Sequence, residues 1–194
     1  MLHVEQCLAL PPDGLMVVDC ETTGLETDAR TIQFGVVFMT FSGTIEGSYS
    51  TYLAADGSVG SPEALAVHGI GVEKLRDAPS FTTTVARLAP HFDTRRVVAH
   101  RASFDQARLQ YEFSLIGNAL LPDFYCSKTL CERLGFGQLR LQEAARQFNL
   151  EPGVAHDALD DALTVAQIII RFMSERPCET REYLRVPPDF LSQR

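Results

Sequence analysis

The chain changes its hydrophobic period partway along, and that switch restricts the possible folds more than any other feature. Leu15–Cys20 is a short apolar run behind the turn signal Pro11-Pro12-Asp13-Gly14. Thr31–Thr40 and Thr44–Leu53 are rich in β-branched and aromatic residues, with Phe41-Ser42-Gly43 between them. Runs of this length and composition form strands, and the short Gly-containing break predicts an antiparallel hairpin or meander with the first strand. From Ser61 onward helical spacing takes over. Ser61-Pro62-Glu63 offers an N-cap residue followed by Pro at the first helical position, and Gly69 and Gly71 stop that helix after His68. A second helix is expected over Ser80–Phe92, with Phe81, Leu88 and Phe92 at helical spacing. Val97–Ala99 reads as a buried strand, followed by a helix over Ser103–Leu115 and a fifth strand over Phe124–Thr129. Helices near Leu139–Phe148 and Asp157–Met173 complete the pattern, the latter with Leu159, Leu163, Ala166 and Ile170 in one stripe. Strands first and alternation afterwards predict an α/β fold, a mixed sheet with helices on its faces.

A chain of 194 residues suits one full-sized domain. It is expected over residues 15–173, with an N-terminal extension over 1–14 and a polar, peripheral tail over 174–194 marked by Pro177, Pro187 and Pro188. The longest apolar stretches, such as Val165–Ile170, fall far short of a membrane span. Cys7, Cys20, Cys126, Cys131 and Cys178 form no CxxC pair, which argues against a zinc site or a disulfide framework. With an N-terminus lacking the basic start of a secretory signal, this predicts a reducing, cytoplasmic setting. The net charge of −8 disfavours a protein that coats a long nucleic acid, because each phosphate contact needs a cation. It leaves room for one that grips a few nucleotides at an end, since carboxylates that bind divalent ions also count as negative charge.

Three segments put acids where a strand ends or a helix begins. In Asp19-Cys20-Glu21, residues i and i+2 of a strand point to one face, so both carboxylates can reach one ion. Burying two acids there is costly unless a positive charge lies between them. Asp105 follows the strand Val97–Ala99 within the first turns of the next helix, a place the helix dipole favours by about 0.3–1 kcal/mol. In His156-Asp157-Ala158-Leu159-Asp160-Asp161, Asp157 suits an N-cap and Asp160 the capping-box position three residues on. Asp161 is left over, with His156 on the preceding loop able to bend over the face that Asp161 presents. Each segment alone has an ordinary structural explanation. Together, four carboxylates and a histidine at element ends are what two-metal phosphoryl transfer needs.

In this order the residues resemble the DEDDh exonucleases of the DnaQ-like superfamily. Asp19-Cys20-Glu21-Thr22-Thr23-Gly24-Leu25 resembles the first family motif, His100 through Asp105 the second, and His156 through Ala162 the third, with His156 marking the h subclass. Val67-His68-Gly69-Ile70 and Ala78-Pro79-Ser80-Phe81 are similar to family spacer segments, so the resemblance spans about Leu15–Phe172.

The resemblance implies an RNase H-like mixed five-stranded sheet with helices on both faces. It further implies two Mg²⁺ or Mn²⁺ ions held by Asp19, Glu21, Asp105 and Asp161, and His156 as general base. Water polarised by one ion would attack the last phosphodiester, and the other ion would stabilise the leaving 3′ oxygen. Nucleoside 5′-monophosphates would then leave single-stranded DNA 3′ ends one at a time. Thr22, Leu25, His68 and Phe104 are the implied contacts to the terminal nucleotide.

Arg101 stands where relatives carry Asn, and Ala155 where they often carry Arg; Arg101 is expected to compensate with a phosphate contact. An RNA-trimming exonuclease resembling RNase T is the alternative, and a non-catalytic nucleic-acid-binding module a third reading that retention of all five site residues opposes. No sliding-clamp-binding peptide is legible after Phe172, so a polymerase or repair partner is left unassigned.

Overall fold

The structure, a computed structural model, describes residues 13–117, 121–186 and 188. Strands β1 (Leu15–Thr22), β2 (Thr31–Met39), β3 (Ile45–Tyr52), β4 (Arg96–Ala99) and β5 (Tyr125–Cys126) form one sheet in the order β3-β2-β1-β4-β5. The first three run antiparallel as a meander, whereas β4 lies parallel to β1 and β5 parallel to β4. The expected mixed α/β sheet is present.

Helices α1 (Pro62–His68), α2 (Val72–Leu75), α3 (Phe81–Thr94), α4 (Ala102–Leu115), α5 (Ser127–Arg133), α6 (Leu141–Gln147), α7 (Ala158–Glu175) and α8 (Pro177–Arg185) surround it. The central strand β1 shows why both faces must be covered, for Leu15, Met16, Val17 and Val18 are all fully buried. Leu15 and Val17 pack with Val165, Ile168, Ile169 and Phe172 of α7. Met16 and Val18 pack on the other face with Leu88 and Phe92 of α3 and Leu109 and Phe113 of α4. Strand alternation then carries Asp19 and Glu21 onto the face that α7 covers.

Two sequence expectations are corrected, and one helix is added to them. The fifth strand is confined to Tyr125–Cys126, because Ser127, Leu130 and Cys131 are buried at helical spacing and the chain turns into α5. The four-residue helix α2 was not anticipated; Leu75 is its one buried residue.

The segment after Ser174 is not a peripheral tail over Pro177–Arg185. Thr180, Tyr183 and Leu184 recur at i, i+3 and i+4 and are buried. The Tyr183 hydroxyl accepts from Cys126 N at 3.1 Å and donates to Cys126 O at 2.9 Å. Helix α8 thereby serves both main-chain groups of Cys126 on the edge strand β5. Residues 1–12 of the expected extension, and positions 187 and 189–194 of the expected tail, lie outside the described residues. No helix among the described residues is long and apolar enough to cross a membrane.

Candidate functional site

The site forms where β1 and β4 end. Asp19 and Glu21 stand on one side of β1; Glu21 is buried and Asp19 partly so. β4 leads into α4, whose first turn carries Asp105, 3% exposed and hydrogen-bonded to the main chain and thiol of Cys20. Asp161, 8% exposed, arrives from the first turn of α7.

Two residues of β2 that sequence reasoning missed decide where α7 begins. Gln33 donates from Nε2 to Asp157 Oδ2 at 2.8 Å, and its Oε1 accepts from Ala158 N at 3.3 Å. At Gly35 a Cβ would stand 2.2 Å from Ala158 O, so the bare backbone lets the helix start rest directly on the strand. The signal existed: a polar residue and a glycine inside an otherwise apolar strand mark a close approach.

Asp157 caps α7 as expected, accepting from Leu159 N at 3.0 Å and Asp160 N at 3.3 Å. Asp160 does not complete the expected capping box. The N–H of Asp157 is already given to Val154 O at 3.2 Å, and the Asp160 carboxylate instead accepts from Val154 N at 2.7 Å.

His156 is exposed, with φ 63°, and its main-chain N–H donates to Asp161 Oδ2 at 3.2 Å. Ligand atoms of Glu21, His156 and Asp161 all lie within 4.8 Å of one another.

Burial raises the pKa values of all four carboxylates, and for Asp19 and Glu21 the neighbouring acids add to it. Burial raises Asp19 well above the ordinary range, and the negative charges of Asp105, Asp161 and Glu21 add to it. Burial, then Asp161 and Asp105, push Glu21 up to about 8. Asp105 is lifted by burial to about 7 despite opposing hydrogen bonds from Cys20 and the positive charge of Arg101. Asp161 is raised by burial as well, against the opposing pull of His156. Such a set is the expected signature of a site built for a cation that the protein chain itself does not supply. The donors are carboxylate oxygens with an adjacent imidazole, a hard set that suits Mg²⁺ or Mn²⁺.

All ten residues expected at the site line one cleft of about 590 Å³: Asp19, Glu21, Asp105, Asp161 and His156, with Thr22, Leu25, His68, Phe104 and Arg101. Leu25 is 79% exposed at the mouth. His68 accepts at Nδ1 from Ile70 N at 3.0 Å, while its Nε2 is buried without a partner among the described residues. Burial and His156 lower its pKa, so the ring is neutral and Nε2 carries the proton as an unused donor. Phe104 packs beneath the Arg108 guanidinium, 5.2 Å from its ring centre.

Arg101 is the one Arg or Lys among the described residues lining the cleft, and Ala155 does not line it. His100 is a strut: Nε2 donates to Leu139 O at 3.0 Å and Nδ1 accepts from Ser127 Oγ at 2.9 Å.

A family model described as "Exonuclease" (RNase_T) matches residues 16–169. DNA polymerase III subunit epsilon of Treponema pallidum is 31% identical over 150 residues, covering 74% of this chain and 69% of that protein. The subunit of the same name from Escherichia coli K12 is 33% identical over 107 residues, 52% of this chain and 44% of its own length. The chain thus matches less than half the length of that second relative. Among solved structures, E. coli exonuclease I in complex with a dA16 oligonucleotide superposes with a TM-score of 0.72 at 18% identity, over 87% of this chain and 42% of that one. The nuclease domain of 3′hExo, a DEDDh family member bound to rAMP, gives 0.72 at 16% identity over 85% and 93%. These two likenesses speak for the shared fold.

Proposed function

Since the chain belongs to the DnaQ-like exonuclease family, we propose that it removes nucleoside 5′-monophosphates from single-stranded DNA 3′ ends in a two-metal hydrolysis. The observation that carries this reading is the meeting of Asp19, Glu21, Asp105 and Asp161 in one cleft with their pKa values raised. These four would hold two Mg²⁺ or Mn²⁺ ions. When bound, such ions supply Lewis acidity that stabilises charge on the scissile phosphate and eases ionisation of water.

The chain's own residues do the rest. His156 takes the proton from the attacking water; its ring borders the carboxylates yet is open to solvent, so it can pass the proton on. Leu25 presents an apolar surface to the terminal base, and the free Nε2–H of His68 donates to the terminal nucleotide. Thr22 shapes the turn beneath it, its hydroxyl donating to Gly24 O at 2.8 Å, and Phe104 floors the cleft. Arg101 supplies the positive charge for a backbone phosphate in an otherwise acidic lining.

A cleft of about 590 Å³ suits the end of one strand. DNA is favoured because the relatives matched above are subunits of a DNA polymerase.

The test uses end-labelled single-stranded DNA, double-stranded DNA and RNA, each with Mg²⁺, Mn²⁺ or EDTA, beside His156→Ala and Asp19→Ala. Stepwise loss of 3′ mononucleotides from single-stranded DNA, abolished by EDTA and by both substitutions, is expected. Activity surviving any of these would overturn the mechanism, and preference for RNA would move the substrate to the other polymer.

A further inference from the structure

His156 sits near the end of residues 151–157, which contain no helix or strand between Leu150 and α7. Its φ of 63° lies in the left-handed region, which a side-chain-bearing residue keeps only when its surroundings impose it. Two adjacent carboxylates of α7 provide that constraint. Asp161 Oδ2 accepts from His156 N at 3.2 Å, and Asp160 Oδ2 accepts from Val154 N at 2.7 Å. Between these bonds, Asp157 N donates to Val154 O at 3.2 Å and closes the turn. Gly153 completes the arrangement. A Cβ there would stand 2.3 Å from Asp160 Cγ, and its nearest neighbours are all atoms of that carboxylate.

We propose that Asp160 and Gly153 form a latch that presents His156 to the cleft, making Asp160 a positioning residue for the reaction. The inference rests on the exonuclease reading above. Of the two anchors, Asp161 lines the cleft, where the proposed ions compete for its oxygens. Asp160 does not line the cleft, and its carboxylate accepts its hydrogen bond from the loop. It therefore holds the turn in place however Asp161 is engaged. Val154 itself is 71% exposed, so side-chain packing contributes little to fixing this turn and the main-chain bonds must do it.

The competing explanation is that Asp160 merely favours the positive end of the α7 dipole. The two separate cleanly. Asp160→Ala removes the acceptor and the charge, whereas Asp160→Asn drops the charge and keeps a carbonyl acceptor for Val154 N. Gly153 has no positive φ, and the nearest atoms a Cβ would meet are those of the Asp160 carboxylate, so Gly153→Ala displaces that carboxylate.

With the full chain and single-stranded DNA, Asp160→Ala and Gly153→Ala should each lower kcat by about tenfold to a hundredfold. KM and Mn²⁺ affinity by titration calorimetry should be unchanged, and Asp160→Asn should restore most of kcat. Full kcat in both Asp160→Ala and Gly153→Ala would overturn the latch. Equal losses of Tm in the Ala and Asn variants with full kcat per folded molecule would assign Asp160 to the dipole instead. A wild-type protein without metal-dependent nuclease activity would refute the exonuclease reading, an outcome distinct from failure of the latch.

Discussion

Gln33 and Asp157 are joined side chain to side chain, the Gln33 amide donating at 2.8 Å to the residue that caps α7. They lie 124 positions apart in the chain, and the bond sets the start of α7 against β2. Because Asp161 is in the next turn, its distance from Asp19 and Glu21 follows from this contact.

Gln33→Leu should therefore weaken metal binding without touching a proposed ligand. Removing the amide leaves Ala158 N and the Asp157 carboxylate without their partner, at a cost of about 1–3 kcal/mol. The expected outcome is a lowered Tm together with weaker Mn²⁺ binding by calorimetry. Unchanged Mn²⁺ affinity would mean that the α7 start does not depend on this bond.

The metal-free protein should lose stability as pH rises. Glu21 is held up to about 8 and Asp105 to about 7, with Asp19 and Asp161 also raised, against about 4 in the unfolded chain. The folded state binds more protons, so this stabilisation is complete below about pH 4 and disappears as pH climbs through the folded values to about 8. In EDTA, Tm should fall between about pH 5 and 8. The increment in Tm on adding Mg²⁺ or Mn²⁺ should grow over the same window, because protons and cations compete for the same oxygens. A Tm in EDTA that is flat with pH would contradict the electrostatic description.

His68→Ala should raise KM for single-stranded DNA, with a smaller effect on kcat. The buried Nε2–H has no partner among the described residues, so in the proposed role its bond would form with substrate. Steady-state kinetics separate the two constants, and an unchanged KM would remove His68 from the binding surface.

Arg101→Ala should weaken substrate binding and reduce its salt dependence. One phosphate contact to a single strand contributes about 0.7 to the slope of log K against log salt. Fluorescence anisotropy with labelled oligonucleotide across a salt series reads this directly. If affinity and slope are both unchanged, Arg101 has no phosphate contact.

Tyr183→Phe should destabilise the fold by about 1–3 kcal/mol while activity per folded molecule stays the same. The hydroxyl serves both Cys126 N and Cys126 O, on an edge strand away from the cleft. Chemical denaturation with parallel rate measurements checks both parts.

The secondary structure was legible wherever hydrophobic period and punctuation agreed. Ser61 caps α1 through its side chain to Ala64 N, and Gly69 ends it at φ 65°, as the Ser-Pro start and the glycine imply. Legibility failed where tertiary contact overrode local pattern. Phe124–Thr129 reads as a strand by composition, yet the burial of Ser127, Leu130 and Cys131 required a helix. Pro177–Arg185 looked too polar to be buried, because three buried side chains in a short amphipathic helix leave a mostly charged sequence.

By itself, the sequence determined the α/β layering and nominated every side chain expected in the cleft, because strand ends and helix starts can be located from local chemistry. Tertiary structure alone decided how those ends meet. Gly35 and Gln33 admit and hold the start of α7, α4 brings Asp105 to Cys20, and Asp160 turns away from capping to hold the His156 loop. The reason is physical: a residue's local propensity is carried by its neighbours in the chain. The distance between two carboxylates more than a hundred positions apart is carried by the packing of the elements that bear them.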